Sequence, residues 1–176
     1  PQIQTIVEQL CFGAILSENP TKHAKHLAFV SIDDAVMICI ASYIATKNNE
    51  LKLIPQEQTL ERALYDQLAF FVLTDLEQPL WTAGKHKFAI PEEWRVPQML
   101  ATTVWEFEKS QKALTNMIGA EPEFALGERF TMADVLVAHT LMWADNFKFE
   151  LDDGLKKYKN RMLERPACKA ALAKLT

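Results

Sequence analysis

The sequence predicts a mostly α-helical fold built around one fully buried helix, and three observations carry that prediction. Thr131 and Asp134 have the Ser/Thr-x-x-Asp/Glu spacing of a capping box, in which the hydroxyl accepts from the Asp134 N–H and the carboxylate from the Thr131 N–H. The residues behind them, Val135-Leu136-Val137-Ala138 and Leu141-Met142-Trp143-Ala144, are apolar on nearly every side. A helix without a polar face is buried all round, and its first N–H groups then need side-chain partners. Helical periodicity also dominates from Asp33 onward. Finally, only five of the 176 residues are glycine, few for a β-rich chain.

Taken in order, the elements follow from local signals. Ile3, Ile6, Val7 and Leu10 fall on one face of a first helix expected over 1–10, and residues 12–29 have no clear period. A helix over 34–47 has Ser31 or Asp33 as its cap and Asn48-Asn49 as its stop. Residues 48–58, polar and containing Pro55, read as a linker. A long helix is expected over 59–77, with Leu60, Leu64, Leu68 and Phe71 along one side. Pro91 is suited to the first position of the next helix, whose seam is Leu100, Val104, Phe107, Leu114 and Ile118. The Thr131-capped helix follows, with Phe130 and Val135 at the two positions of a hydrophobic staple. Shorter helices are expected over 152–163 and 166–175. The division is 1–47, linker 48–58, and an all-α unit over 59–176.

Composition narrows the function classes. A hydrophobic fraction of 49% supports a large core, and a net charge of −4 without a dense Lys/Arg run argues against nucleic-acid binding. No apolar stretch is long enough to span a bilayer, and no leader pattern opens the chain at Pro1. Cys11, Cys39 and Cys168 are an odd number without C-x-x-C spacing, which fits thiols in a reducing cytoplasm better than a disulfide framework or a zinc site. Cys11 has no helix N-terminus or cation to activate it and reads as a small packing residue. His23 and His26 lack a third metal partner and read as part of a basic loop beside Lys22 and Lys25; no metal is expected. His139 lies in the buried helix as a core histidine. Phe70, Phe71, Trp81, Trp105 and Trp143 fall at helical spacing, where aromatics are usually core. Trp81, ahead of Gly84, is the one expected to face a cleft, and His86 could border it or sit in a surface loop. Gly154 stands alone and carries no phosphate-loop signal.

The run Gly127-Glu128-Arg129-Phe130-Thr131-Met132-Ala133-Asp134 resembles the G-x-x-[FY]-[ST]-x-A-D signature of the cytosolic glutathione transferases, bacterial type, where it caps the core helix of the C-terminal domain. Leu76-Glu77-Gln78-Pro79-Leu80-Trp81-Thr82, Lys85-His86-Lys87-Phe88 and Pro91-Glu92-Glu93 resemble the end of that family's long fourth helix. Arg165-Pro166-Ala167 is similar to the start of its last helix, and Ala41-Ser42-Tyr43-Ile44-Ala45 with Leu53-Ile54-Pro55 to its third helix and linker. The resemblance implies an all-helical C-terminal bundle preceded by a thioredoxin-like α/β portion, of which residues 1–47 hold only an incomplete part.

The resemblance also implies glutathione as cosubstrate, a small hydrophobic electrophile as second substrate, no metal, a homodimer, and a cytoplasmic role in detoxification. The candidate site residues are Asp33 and Asp34 toward glutathione, and Phe71, Trp81 and His86 toward the electrophile. Thr131 and Asp134 are the structural cap. Two departures stand against catalysis. Asn19-Pro20-Thr21-Lys22-His23-Ala24-Lys25-His26-Leu27 has Lys22 and Lys25 where the family has glycine and a cis-proline. The family's Glu-Ser glutathione clamp falls on Val36-Met37, and no thiolate-stabilising catalytic residue can be assigned. The alternative to an enzyme is therefore a non-catalytic dimerisation or docking module on the same fold.

Overall fold

The computed structural model describes residues 42–43 and 45–173. Cys11, His23, His26, Asp33, Asp34, Cys39, the Val36-Met37 pair and all but the end of the helix expected over 34–47 lie outside those residues. Residues 45–47 are helical, and a 3₁₀ turn, Asn49–Leu51, ends the segment where the paired asparagines predict a stop.

The helices that follow are α1 (Leu60–Phe71), α2 (Gln78–Gly84), α3 (Met99–Ile118), α4 (Met132–Asn146), α5 (Asp153–Leu163) and α6 (Pro166–Leu172), and no strand occurs among the described residues. Thr59 caps α1, accepting the Arg62 N–H on its hydroxyl at 3.1 Å. The expected stop at Glu77 does not occur. A π turn, Val72–Leu76, joins α1 to α2, and a second, Lys85–Ala89, extends α2, so one bent rod runs from Leu60 to Ala89.

Pro79 explains the first π turn. A proline in a helix lacks an N–H and crowds the carbonyl four residues back, here that of Asp75. The extra residue of the π turn relieves the crowding: Glu77 N–H reaches back five residues to the Val72 carbonyl at 2.9 Å, and regular bonding resumes from Trp81 N–H to the Glu77 carbonyl at 3.0 Å. The displaced Asp75 carbonyl then accepts the Ser110 hydroxyl of α3 at 2.9 Å.

The apolar seam of the rod also differs from expectation. Leu60 and Leu64 are exposed, and the buried line is Tyr65, Leu68, Ala69, Val72, Leu76, Leu80 and Ala83. Pro91 does not begin a helix. It caps a 3₁₀ turn, Glu92–Trp94, after which Arg95 is extended and Pro97 delays α3 to Met99. Along α3, Leu100, Phe107, Leu114 and Ile118 face inward, but Thr103 and Gln111 occupy the seam and Val104 points out.

Around these two antiparallel rods, α4 is the axle: every residue from Met132 to Ala144 is buried. The capping box forms, and its carboxylate half is the stronger. Asp134 Oδ2 accepts the Thr131 N–H at 2.7 Å and the Thr131 hydroxyl at 3.2 Å, while the Asp134 N–H also reaches the Thr131 carbonyl at 3.1 Å. The other carboxylate oxygen, Oδ1, accepts the Ala125 N–H at 2.7 Å and the Tyr158 hydroxyl of α5 at 2.8 Å. The Met132 N–H bonds the Leu53 carbonyl at 2.8 Å, so the expected linker is fastened to the start of α4. Leu53, Ile54 and Pro55 are buried accordingly.

Two glycines serve close geometry. Gly127, at φ +97°, closes the turn before α4 by donating to the Phe124 carbonyl at 3.0 Å. A Cβ on Gly154 would lie 1.9 Å from the Ala120 carbonyl oxygen, so α5 sits directly on the turn after α3. Lys157 bonds Glu121 there at 2.7 Å, and Arg161 donates to the Pro122 and Glu123 carbonyls. The buried Gln111 amide joins α3 to the α4–α5 connection, donating to the Glu150 carbonyl at 3.2 Å and accepting the Asp152 N–H at 3.0 Å.

Replacing Asp134 leaves several buried donors without partners, each costing about 1–3 kcal/mol. Asp134→Ala is therefore expected to destabilise the fold by more than about 3 kcal/mol, Thr131→Ala by about 1–2, and Tyr158→Phe by about 1–2. Urea denaturation measures these differences; a wild-type midpoint in Asp134→Ala is incompatible with the arrangement described.

Candidate functional site

The crevice between the α1–α2 rod and α3 holds two clefts. One, of about 210 Å³, is bordered by Phe71, Thr74, Asp75, Gln78 and Pro79 on the rod and by Trp105, Glu106, Lys109, Ser110 and Ala113 on α3. The other, of about 320 Å³ and mostly apolar, lies between Leu64, Gln67 and Leu68 on α1, Met117 and Ile118 on α3, and Ala125 to Gly127. Their chemistry differs. The first combines two aromatic rings with carboxylates and a lysine, whose ammonium stands 5.7 Å from the Trp105 ring centre. The second has no charged side chain on its walls.

The expected substrate-facing residues do not share one cleft. Phe71 borders the first. Trp81 is half-buried against the core and is not among the residues of that wall. Gly84 is inside α2, where it gives room to Phe147 at 3.4 Å and Phe88 at 3.8 Å from its would-be Cβ. Phe147 stands edge-to-face with both Phe88 and Trp143, at 5.9 and 5.7 Å between ring centres. This aromatic group fills the far end of α2, and Trp143 belongs to the core as expected.

His86 sits in the second π turn rather than in a surface loop, and its Nδ1 accepts the Val96 N–H at 3.1 Å. Two exposed aromatics depart from the reading that helical aromatics are core: Phe70 is 69% and Trp105 61% accessible. The signal for Trp105 was present, because it lies off the Leu100–Thr103–Phe107–Gln111–Leu114 seam and four residues before Lys109. Sequence reasoning also missed Tyr158, whose buried hydroxyl needs the partner that Asp134 provides.

Electrostatics inside the bundle centre on two groups. Burial raises the Asp134 carboxyl above its ordinary range, opposed by the N–H groups of Ala125 and Thr131 and the hydroxyls of Tyr158 and Thr131. Burial, followed by the charge of Asp134, raises the Tyr158 phenol. Burial alone pushes His139 down from 6.5 to about 3, so the ring is neutral in the native core. At the end of α4, the nearly inaccessible Lys159 ammonium meets Asp145 at 2.5 Å, and that hydrogen bond lowers the Asp145 carboxyl. Among the described residues no three His, Cys, Asp or Glu side chains gather into a metal site, and no helix is long and apolar enough to cross a membrane.

Residues 97–166 match the family model described as the glutathione S-transferase C-terminal domain. No curated protein matches the sequence. Among solved structures, a glutathione transferase from Methylococcus capsulatus strain Bath superposes with a TM-score of 0.68 at 23% identity, over 81% of this chain and 66% of that one. A sphingomonad glutathione S-transferase complexed with glutathione gives 0.64 at 21%, over 76% and 63%. A glutathione transferase from Phanerochaete chrysosporium in complex with oxidized glutathione gives 0.68 at 20%, over 80% and 67%. The chain thus spans about two thirds of the length of these structures. A buried, side-chain-capped helix within an all-α bundle is the fold that these matches share with this chain. Residues 97–166 are thus similar to the glutathione S-transferase C-terminal domain, and the described bundle shares the fold of these solved transferases.

The neutral His139 makes a pH prediction. Its folded pKa lies below its unfolded one, so its contribution to stability is complete above the unfolded value of 6.5 and is lost as pH falls toward about 3. Asp134 works in the opposite sense: its contribution is present at low pH and lost as pH rises through its elevated value. Between about pH 7 and about pH 4.5 His139 accounts for a loss of roughly 3 kcal/mol. His139→Leu should remove that component, measured as the wild-type minus variant difference in unfolding free energy at the two pH values. A difference that does not vary with pH contradicts the buried neutral ring.

Proposed function

We propose that this chain is part of a glutathione transferase that joins the glutathione thiolate to small hydrophobic electrophiles. The observation that carries the reading is the superposition of its capped helical bundle on glutathione transferases, two of which were solved with glutathione or oxidized glutathione bound. In this reading the bundle supplies the apolar wall for the electrophile, with Phe71 as its contributor from α1, and glutathione is the cosubstrate. Asp33 and Asp34 are its candidate contacts, and a hydroxyl or amide donor must hold the sulfur as thiolate near neutral pH. The setting is cytoplasmic and the role detoxification.

A second reading is favoured by particular residues. Lys22 and Lys25 replace the family's glycine and proline, and Val36-Met37 replaces the Glu-Ser clamp. Those changes suit a non-catalytic dimerisation or docking module. Each hydrogen bond to a charged ligand is worth about 1.5–3 kcal/mol, so a site without several of them binds glutathione more weakly than millimolar. Calorimetric titration with glutathione, on protein of verified mass, together with a dinitrobenzene conjugation assay, separates the two. The transferase reading expects binding at about millimolar Kd or tighter and measurable conjugation. Absence of both leaves the module.

Either reading includes a homodimer. Leu60, Leu64 and Phe70 on α1 and Val104 and Trp105 on α3 are exposed apolar side chains that a second copy would cover. Sedimentation is expected to give twice the 20.1 kDa chain mass. A species of single-chain mass alone at tens of micromolar would rule the dimer out.

A further inference from the structure

Residues 90–98 form a strap that crosses from the end of the long rod to the start of α3, and side chains fasten it at two places. At its first half the Arg95 guanidinium donates to the Ile90 carbonyl at 2.8 Å and the Phe88 carbonyl at 3.0 Å. At its second half the Val96 N–H is anchored on His86 Nδ1, at 3.1 Å. The Val96 carbonyl in turn accepts the Met99 N–H at 3.0 Å, the first N–H of α3. Between the anchors the 3₁₀ turn carries Trp94, which is 71% accessible, and Val96 is 45% accessible. The strap therefore buries little of its own apolar surface and depends on these polar ties.

The two ties differ chemically. Arg95 is a permanent cation and donates at every accessible pH. His86 accepts through Nδ1, which requires the neutral ring with its proton on Nε2. In the imidazolium both ring nitrogens are donors, so a proton on Nδ1 would face the Val96 N–H donor to donor. Histidine is the side chain that changes charge between about pH 5 and 8. The charged residues on the surrounding elements are Lys85 and Lys87 beside His86, Glu92, Glu93 and Arg95 on the strap, and Lys148 in the turn that brings Phe147 against Phe88.

We propose that His86 is an acid-operated latch: its protonation releases Val96, detaches the second half of the 90–98 strap, and loosens the first turn of α3, while Arg95 keeps the first half attached. This device is independent of whether the chain conjugates glutathione.

Amide exchange followed by NMR on the whole protein tests the latch without any variant. The protection factor of the Val96 amide, corrected for the intrinsic rate, is expected to fall at least tenfold between about pH 8 and about pH 5. Amides within α4 should keep their protection over the same range, which separates the latch from global unfolding. In His86→Ala the Val96 amide should be poorly protected at both pH values. His86→Asn places an acceptor oxygen near the Nδ1 position and should hold protection at both. Constant Val96 protection in the wild type overturns the proposal, and so does an equal pH-dependent fall in His86→Ala.

Discussion

The fold is organised by one carboxylate. Asp134 lies in a region where an isolated charge would be prohibitively costly, and four donors converge on it from three parts of the chain: the turn after α3, the start of α4, and α5. A local cap would have needed only the Thr131 contacts. The contacts to Ala125 and Tyr158 turn a helix terminus into a joint that fixes the angle of α5 and the path of residues 124–131. Because the group is buried, misplacing any of its partners exposes the remaining mismatch to the low-dielectric interior. The Arg165 guanidinium, 3.6 Å from the Phe130 ring centre, seals the same corner from the side of α6.

The second constraint is Pro79. By forcing the extra residue of the π turn, it rotates every later position of the rod relative to α1. Beyond it the buried line continues through Leu80 and Ala83, and Trp81 turns against the core. The freed Asp75 carbonyl finds Ser110, so the perturbed backbone also becomes a bond between the two rods. Leu60, Leu64 and Phe70 remain exposed on α1.

Much of this was legible in the residues. The cap, the all-round burial of the helix after it, the positions of the last two helices and the core role of Trp143 follow from local pattern alone. Three features did not. The rod's continuation past Glu77 is hidden because proline normally ends a helix, and here the π turn absorbs the break while Ser110 satisfies the displaced Asp75 carbonyl. The delayed start of α3 was missed because Pro91 fits the first turn of a helix as well as the 3₁₀ turn it begins. The Val104 seam position failed because Thr103 can be buried once its hydroxyl bonds the Leu100 carbonyl, at 2.9 Å. For the site, residue type pointed to aromatic walls, but which ring meets a cleft depends on how the rod packs against α3, which local pattern does not encode. Asp33 and Asp34 stay expectations, since they fall outside the described residues.

The bond from the Met132 N–H to the Leu53 carbonyl has a kinetic side. Most ties to Asp134 close short loops, between positions 125, 131, 134 and 158, whereas Leu53 is brought to α4 across the whole length of α1, α2 and α3. Closing a loop of that size carries an entropy cost that grows only slowly with length, yet it rewards the chain only after the intervening helices have docked. The order of events that follows is a bundle assembled around α4 first and the 53–55 segment laid onto it last. On unfolding the sequence reverses, so this segment is the natural place for the first partial opening, ahead of the collapse of the capped core.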